Sequence, residues 1–206
     1  NLKYKGHEEL GPLIGEWYAG DLKTVVALQD VDQIIPVPLH PKKYKVRCIC
    51  FSSSMHSVLA VDKRGIPMGH AITWADNRAN KEAAELKSSP LGKKIYSATG
   101  TPLHPMSPLT KIAWIKNNEK EKFKQVSKFL SLKAYILQQL TGEYVIDYSI
   151  ASATGLLNIH KIKWETESLK FAGITAAMLP DLVPVDTKVG KLNKVTFTAR
   201  PEKKSR

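Results

Sequence analysis

Short apolar strand-like segments alternate with helix-like segments along most of the chain, and this alternation limits the fold more than any other feature. Strand-like runs occupy residues 57–61, 70–74 and 144–148, the last alternating like an edge strand. Helical spacing of apolar residues is found at 77–87, at 109–117, which suits a half-buried amphipathic helix, and at 132–140. Ser131 is the expected N-cap of this last helix and Gly142 its expected end. Strands separated by helices and short loops predict an α/β architecture. No segment repeats at a fixed period, so a solenoid or a propeller is not expected.

Composition indicates a globular protein outside the membrane. The 206 residues are 43% hydrophobic, which is enough to bury a core. No apolar run reaches the roughly 18 residues of a membrane span, and the start of the chain does not resemble a secretory signal. Cys48 and Cys50 alternate on a predicted strand and so point to opposite faces, which disfavours a mutual disulfide. We therefore expect a soluble, cytoplasmic protein with buried, reduced thiols and no membrane partner.

The charge of +12 raises the question of nucleic-acid binding. The basic residues concentrate between 93 and 133 and again after 191, and both regions are rich in lysine rather than in arginine or aromatic residues. Base stacking and forked phosphate contacts favour the latter types. We therefore expect a solvated helix face and a disordered basic tail at 193–206, with weak polyanion adhesion but no specific nucleic-acid partner.

Three clusters of polar and aromatic residues follow predicted strands or lie beside them. They are Ser52-Ser53-Ser54-Met55-His56-Ser57, then Thr73-Trp74-Ala75-Asp76-Asn77-Arg78, and later the segment from Leu140 to Ser152 that contains Asp147-Tyr148. A sugar or sugar acid presents several hydroxyl groups at fixed geometry. Its binding site needs short polar side chains together with an apolar or aromatic plane, and the clusters contain both.

In order and spacing, these clusters resemble the sugar-binding half of the FGGY family of carbohydrate kinases, with the gluconate kinase branch the most similar, over about residues 46–192. The resemblance implies an α/β fold, an incomplete ribonuclease-H-like (actin-like ATPase) domain, preceded by a short helix-strand segment. The substrate-binding residues that it implies are Met55, His56, Trp74, Asp76, Asp147 and Tyr148. We add Arg78 from its charge, because a guanidinium can make a two-pronged contact with the carboxylate of a sugar acid.

Each of these residues also has a purely structural explanation. His56 could be a surface or hydrogen-bonded core residue, Trp74 could fill the core, and Asp76 could cap the helix that follows it. The family assignment depends on the set and its order along the chain rather than on any single member.

The resemblance implies ATP and Mg²⁺ as cofactors, but most of the elements that would bind them are unmatched. The family's phosphate-binding hairpin, the Gly-Asp segment with the catalytic carboxylate and the adenine pocket have no counterpart, and no Gly-x-x-x-x-Gly-Lys loop replaces the hairpin. We therefore expect part of an ATP-dependent kinase for a sugar or a gluconate-like sugar acid, inactive on its own.

Two alternatives remain open at this point. Residues 1–45 resemble the front of a competence-associated phosphoribosyltransferase-like family, through a proline-bounded apolar strand with lysines after it. The chain could instead be a catalytically empty binding module. Because a domain that lacks strands exposes sheet edges, self-association or a complementary chain is an expected partner.

Overall fold

The computed structural model describes residues 50–191. The front segment 1–45, the basic tail 193–206 and Cys48 lie outside these residues, so their predictions are not tested by the fold. Cys50 is free and exposed, and neither it nor Phe51 belongs to a strand. The expectation of a buried thiol is therefore wrong for Cys50, which has no neighbouring strand to cover it within the described residues.

The described strands are short and pair as three two-stranded sheets. The strands are β1 (Leu59–Val61), β2 (Lys128–Leu130), β3 (Val145–Asp147), β4 (Leu157–Asn158), β5 (Lys163–Trp164) and β6 (Asp181–Val183). β1 pairs with β2 antiparallel, so that Ala60 lies opposite Phe129. β3 pairs with β6 in parallel, and β4 pairs with β5 antiparallel. Each sheet therefore joins segments that helices or loops separate in the chain.

Seven α-helices lie among the described residues. They are α1 (Asn80–Ser88), α2 (Pro90–Thr99), α3 (Pro108–Asn118), α4 (Lys120–Gln125), α5 (Leu132–Thr141), α6 (Tyr148–Ser152) and α7 (Thr166–Ala172), and a 3₁₀ turn follows at Ala176–Met178. α5 begins and ends as the sequence predicts. The Ser131 hydroxyl accepts from the Ala134 N–H, and Gly142 ends the helix at φ 85°, a conformation that glycine adopts without steric cost.

Some predicted elements differ from those observed. The helix predicted at 77–87 ends at Ser88, but the helix that follows it was not predicted: the Ser89 hydroxyl accepts from the Gly92 N–H and starts α2 with Pro90 in its first turn. The predicted strand 70–74 is reduced to a bridge between Val58 and Ile72. Tyr148, expected at the end of an edge strand, is instead the first residue of α6.

The core is built around α3. Leu109, Ile112 and Ile115 of this helix are buried with the apolar residues of α1, α2 and β1. The sequence predicts a half-buried amphipathic helix here, but every residue from 108 to 113 is buried. A second cluster covers the other face of β1, with Leu59 and Val61 against α5. Within residues 50–191, no helix combines the length and the apolar character that a bilayer crossing requires.

Candidate functional site

His56 lies shortly before β1 and is held by contacts of its main chain and of its ring. Its φ of 58° is in the left-handed region, which histidine adopts more often than most residues. The ring Nδ1 lies 2.9 Å from the Ala153 carbonyl oxygen. Since a carbonyl only accepts, Nδ1 carries the proton, and Nε2 of the neutral ring is an acceptor. Burial is the largest cause that lowers the pKa of His56 below 6.5, so the neutral ring prevails at pH 7.

Lys111 joins the first cluster to the second. Its Nζ donates to the His56 carbonyl at 2.8 Å and to the Thr73 carbonyl at 2.5 Å, although the residue is 0% exposed in the middle of α3. Burial lowers the pKa of Lys111 to about 8, and the negative charge of Asp76 partly opposes that shift. At pH 7 the ammonium form still prevails, so a positive charge lies beneath the two segments.

Asp76 and Arg78 form a forked ion pair at the surface beside these segments. Arg78 Nη2 lies 2.7 Å from Asp76 Oδ2, and Nε donates to both carboxylate oxygens at 2.9 Å. The hydrogen bond from Arg78 is the largest cause that lowers the pKa of Asp76. The guanidinium also lies 4.8 Å from the ring centre of Trp114 on α3. Asp76 therefore holds Arg78, and its oxygens are largely occupied by that task.

Trp74 and Met55 are large apolar side chains that face solvent. Trp74 is 60% exposed and Met55 is 44% exposed. A structural role for Trp74 as core filling is therefore wrong. Exposed apolar side chains next to fixed polar groups are a common feature of ligand sites, because a sugar ring presents an apolar face as well as hydroxyls.

Asp147 and Tyr148 mark the change from β3 to α6. The Asp147 carboxylate is buried; one oxygen accepts from the Ile150 N–H at 3.1 Å and caps α6, and the other accepts from Lys133 Nζ at 2.7 Å. Burial alone would raise the pKa of Asp147, but these bonds outweigh it and lower the pKa. Tyr148 follows directly and is half-buried. The contact of Asp147 with substrate stays a prediction, and its observed bonds serve the fold.

Main-chain contacts bring the three clusters together. The ring of His56 contacts the carbonyl of Ala153, which directly follows the third cluster, and Lys111 bonds the first cluster to the second. Lys111 and Trp114 were missed by sequence reasoning. The available signal for Lys111 was weak. It was a lysine between two residues of a helix, Thr110 and Ile112, that are both buried.

The described residues do not fit a metal-bound phosphate. Between residues 50 and 191, His, Cys, Asp and Glu side chains do not gather in groups of three or more that could hold a metal ion. Ion pairs already occupy the carboxylates of Asp76 and Asp147.

The comparison with family models gives one match. The N-terminal domain of the FGGY family of carbohydrate kinases matches residues 19–200. That match includes much of the front segment, and the interpretation of residues 1–45 as phosphoribosyltransferase-like is not supported.

Similar proteins include sugar kinases of several specificities. Gluconokinase of Bacillus subtilis (strain 168) is 50% identical over 145 residues, which are 70% of this chain and 28% of that protein. Xylulose kinase of Staphylococcus xylosus is 27% identical over 189 residues, 92% of this chain and 37% of that protein. The chain therefore spans about a third of the length of these relatives.

Solved structures confirm the fold class. The gluconate kinase from Lactobacillus acidophilus superimposes with a TM-score of 0.71 at 34% identity, over 74% of this chain and 31% of that one. A ligand-bound xylulose kinase from the same organism gives 0.68 at 34% identity, over 71% and 30%. The fold is thus the ribonuclease-H-like (actin-like ATPase) fold of these kinases, represented here in part.

Proposed function

Because the chain belongs to the FGGY family of carbohydrate kinases, we propose that it supplies the substrate-binding half of an ATP-dependent kinase that phosphorylates a sugar acid such as gluconate. The observation that carries the proposal is the meeting of three polar clusters through His56 and Lys111, with exposed Trp74 beside them. The similarity to gluconokinases supports the choice of substrate class.

Each side chain has a distinct part in this proposal. The free Nε2 of His56 accepts a hydrogen bond from a substrate hydroxyl, since Nδ1 is committed to Ala153. Trp74 and Met55 offer the apolar surface against which the carbon chain packs. Tyr148 of the third cluster supplies a hydroxyl group to the substrate. Asp147 caps α6, the helix that begins at Tyr148.

Charge favours a sugar acid over a neutral sugar. The negative Asp76 is balanced by Arg78, and the ammonium of Lys111 adds a positive charge below the site. The guanidinium keeps N–H groups beyond those that Asp76 accepts, so it can also bind a substrate carboxylate. A carboxylate at this position restores local neutrality, whereas a neutral polyol does not.

Family members use ATP and a divalent metal, which supply the phosphoryl group and neutralise its developing charge. The phosphate-binding hairpin and the catalytic carboxylate are unmatched in this sequence, and the described residues do not fit the metal. The part proposed for residues 50–191 is therefore to bind and orient the substrate. We do not expect turnover by this chain alone. Association with a second copy or with a complementary chain stays a prediction, which sedimentation across a salt series would test.

A fluorescence titration tests the binding proposal. Gluconate should quench the tryptophan emission of the protein, because Trp74 is the most exposed of the described tryptophans. His56→Ala should abolish the response while leaving the circular dichroism unaltered. His160→Ala is a matched control, since that ring also contacts a main-chain carbonyl, Ser97 O at 3.0 Å, on another part of the surface.

Two results would contradict the proposal. An equal response in wild-type protein and in His56→Ala would mean that His56 does not contact the substrate. A stronger response to xylulose than to gluconate would keep the kinase family but reject the sugar-acid assignment.

A further inference from the structure

Lys111 is a charged residue that is buried among apolar neighbours. It is 0% exposed, and its neighbours on α3, Leu109 and Ile112, are both core residues. Taking an ammonium group out of water is costly unless each N–H finds a partner. Here two partners are main-chain carbonyls, of His56 and Thr73, which lie 55 and 38 residues away along the chain.

These carbonyls belong to the two segments that carry the candidate substrate-binding side chains of His56 and Trp74. One belongs to His56, next to Met55, and the other belongs to the residue before Trp74. Between the two segments, the described backbone contact nearest to them is the bridge from Val58 to Ile72. Beyond that bridge, towards Met55 and Trp74, the ammonium of Lys111 takes over the role of a cross-link.

We propose that Lys111 is a positioning residue, whose ammonium clamps the His56 and Thr73 carbonyls and so sets the spacing between the imidazole and the indole of the substrate site. The clamp itself follows from the geometry alone, and its consequence for sugar binding rests on the function proposed above. It also holds His56 in its left-handed conformation at φ 58°, together with the ring contact to Ala153. Such a conformation persists only when surrounding contacts fix it.

The clamp should weaken as the ammonium loses its proton. The charged groups that face it are Asp76, which favours the charged form, and Arg78, which opposes it. His56 and His104 are the neighbouring histidines, and the pKa of His56 is lowered, so His56 is neutral over the range in which Lys111 titrates. The neutral amine can still donate, but without charge its bonds to carbonyls are weaker. We therefore expect the two segments to loosen above about pH 8.

NMR of the full chain without substrate tests the clamp directly. The signals to follow are the indole N–H of Trp74 and the imidazole C–H groups of His56, during a titration from about pH 7 to about pH 9. Both should shift with a common inflection near the pKa of Lys111. In Lys111→Met both signals should move from their wild-type positions and the inflection should vanish. In Lys111→Arg the inflection should also vanish, because arginine stays charged throughout.

Lys116→Met is the matched control. Lys116 lies on the same helix and its Nζ also donates to a main-chain carbonyl, that of Phe171, away from the site. This variant should leave the signals of His56 and Trp74 and their inflection unchanged. Gluconate affinity should fall at least about tenfold in Lys111→Met, since bonds to a charged group are lost, and should change little in Lys116→Met.

The outcomes separate the clamp from the proposed function. Common inflections without any gluconate binding would support the clamp and contradict the binding proposal. The clamp would be overturned if the signals of His56 and Trp74 stayed constant with pH while the Lys111 side chain itself titrated. An unchanged inflection in Lys111→Arg would also overturn it, and that result stands even if Lys111→Met does not fold.

Discussion

The two carboxylates of the predicted site, Asp76 and Asp147, sit in two ion pairs that differ mainly in burial. Asp76 pairs with Arg78 two residues away, and their side chains are 24% and 39% exposed. Asp147 pairs with Lys133, and those side chains are 7% and 20% exposed. The first pair presents a cation to solvent beside Trp74. The second is enclosed between β3 and α5, where it caps α6.

The comparison shows how similar sequence patterns serve different purposes. Both carboxylates come shortly before a helix and both appear in clusters typical of sugar binding. A buried carboxylate must satisfy its oxygens internally, so Asp147 is committed to Ile150 and Lys133. Separating an ion pair at the surface takes little free energy, so Arg78 remains able to contact a ligand.

The largest expected effect comes from breaking the buried pair. Asp147→Ala should lower the free energy of unfolding by about 3–5 kcal/mol, because it leaves Lys133 without its partner and α6 without its cap. Urea denaturation followed by circular dichroism measures the loss. Asp186→Ala, at an exposed position, should change stability by less than about 0.5 kcal/mol.

A double-mutant cycle sharpens this prediction. Lys133→Met alone should cost less than Asp147→Ala, since Asp147 keeps its cap bond to Ile150. The double variant Lys133→Met/Asp147→Ala, which combines the two single changes, should lose less than the sum of the single losses, because it leaves no unpaired charge. Strictly additive losses would mean that the pair contributes no coupling, and burial would then not explain the difference between the two regions.

Local signals were sufficient for much of the fold. α5 was predicted with its cap at Ser131 and its end at Gly142, because both signals depend on residues within one turn of the helix. β2 and α4 were missed. β2 has three residues, and its pairing with β1 across a long stretch of chain, rather than its own composition, makes it a strand.

The sequence was sufficient to propose the residues of the candidate site, but not the contacts that join them. The clusters that contain His56 and Trp74 were recognisable from residue types and order, since a sugar requires that chemistry. Lys111 was not, because its partners are main-chain carbonyls, which every residue has and which leave no mark in the sequence. The commitment of Asp147 to the fold was hidden for a different reason, because its burial depends on the packing between β3 and α5.

Breaking the exposed pair should affect recognition more than stability. Asp76→Ala should lower the free energy of unfolding by about 1 kcal/mol or less, since surface pairs contribute little. Arg78 would then lose the carboxylate that holds it and would retain its contact with the ring of Trp114 and the weaker attraction of Glu119. Gluconate affinity, measured by tryptophan quenching, should fall about tenfold, which corresponds to ~1.4 kcal/mol. A large loss of stability with unchanged affinity would reverse the roles assigned to the two pairs.

The smallest expected effect is in the acid dependence of stability, and it compares the two pairs within one measurement. Asp76 and Asp147 both have a pKa below the ordinary value of 3.8 in the folded protein. A lowered folded pKa contributes stability that is fully present above the unfolded pKa and is lost as pH falls below about 4 and through the folded pKa. Unfolding free energies at about pH 5 and about pH 3 measure the loss.

Asp147→Asn should reduce the difference between these two free energies more than Asp76→Asn does, because solvent screens the exposed pair. An equal reduction in the two variants would show that burial does not set the strength of these pairs, and Asp147 would then be as free as Asp76 to meet a substrate.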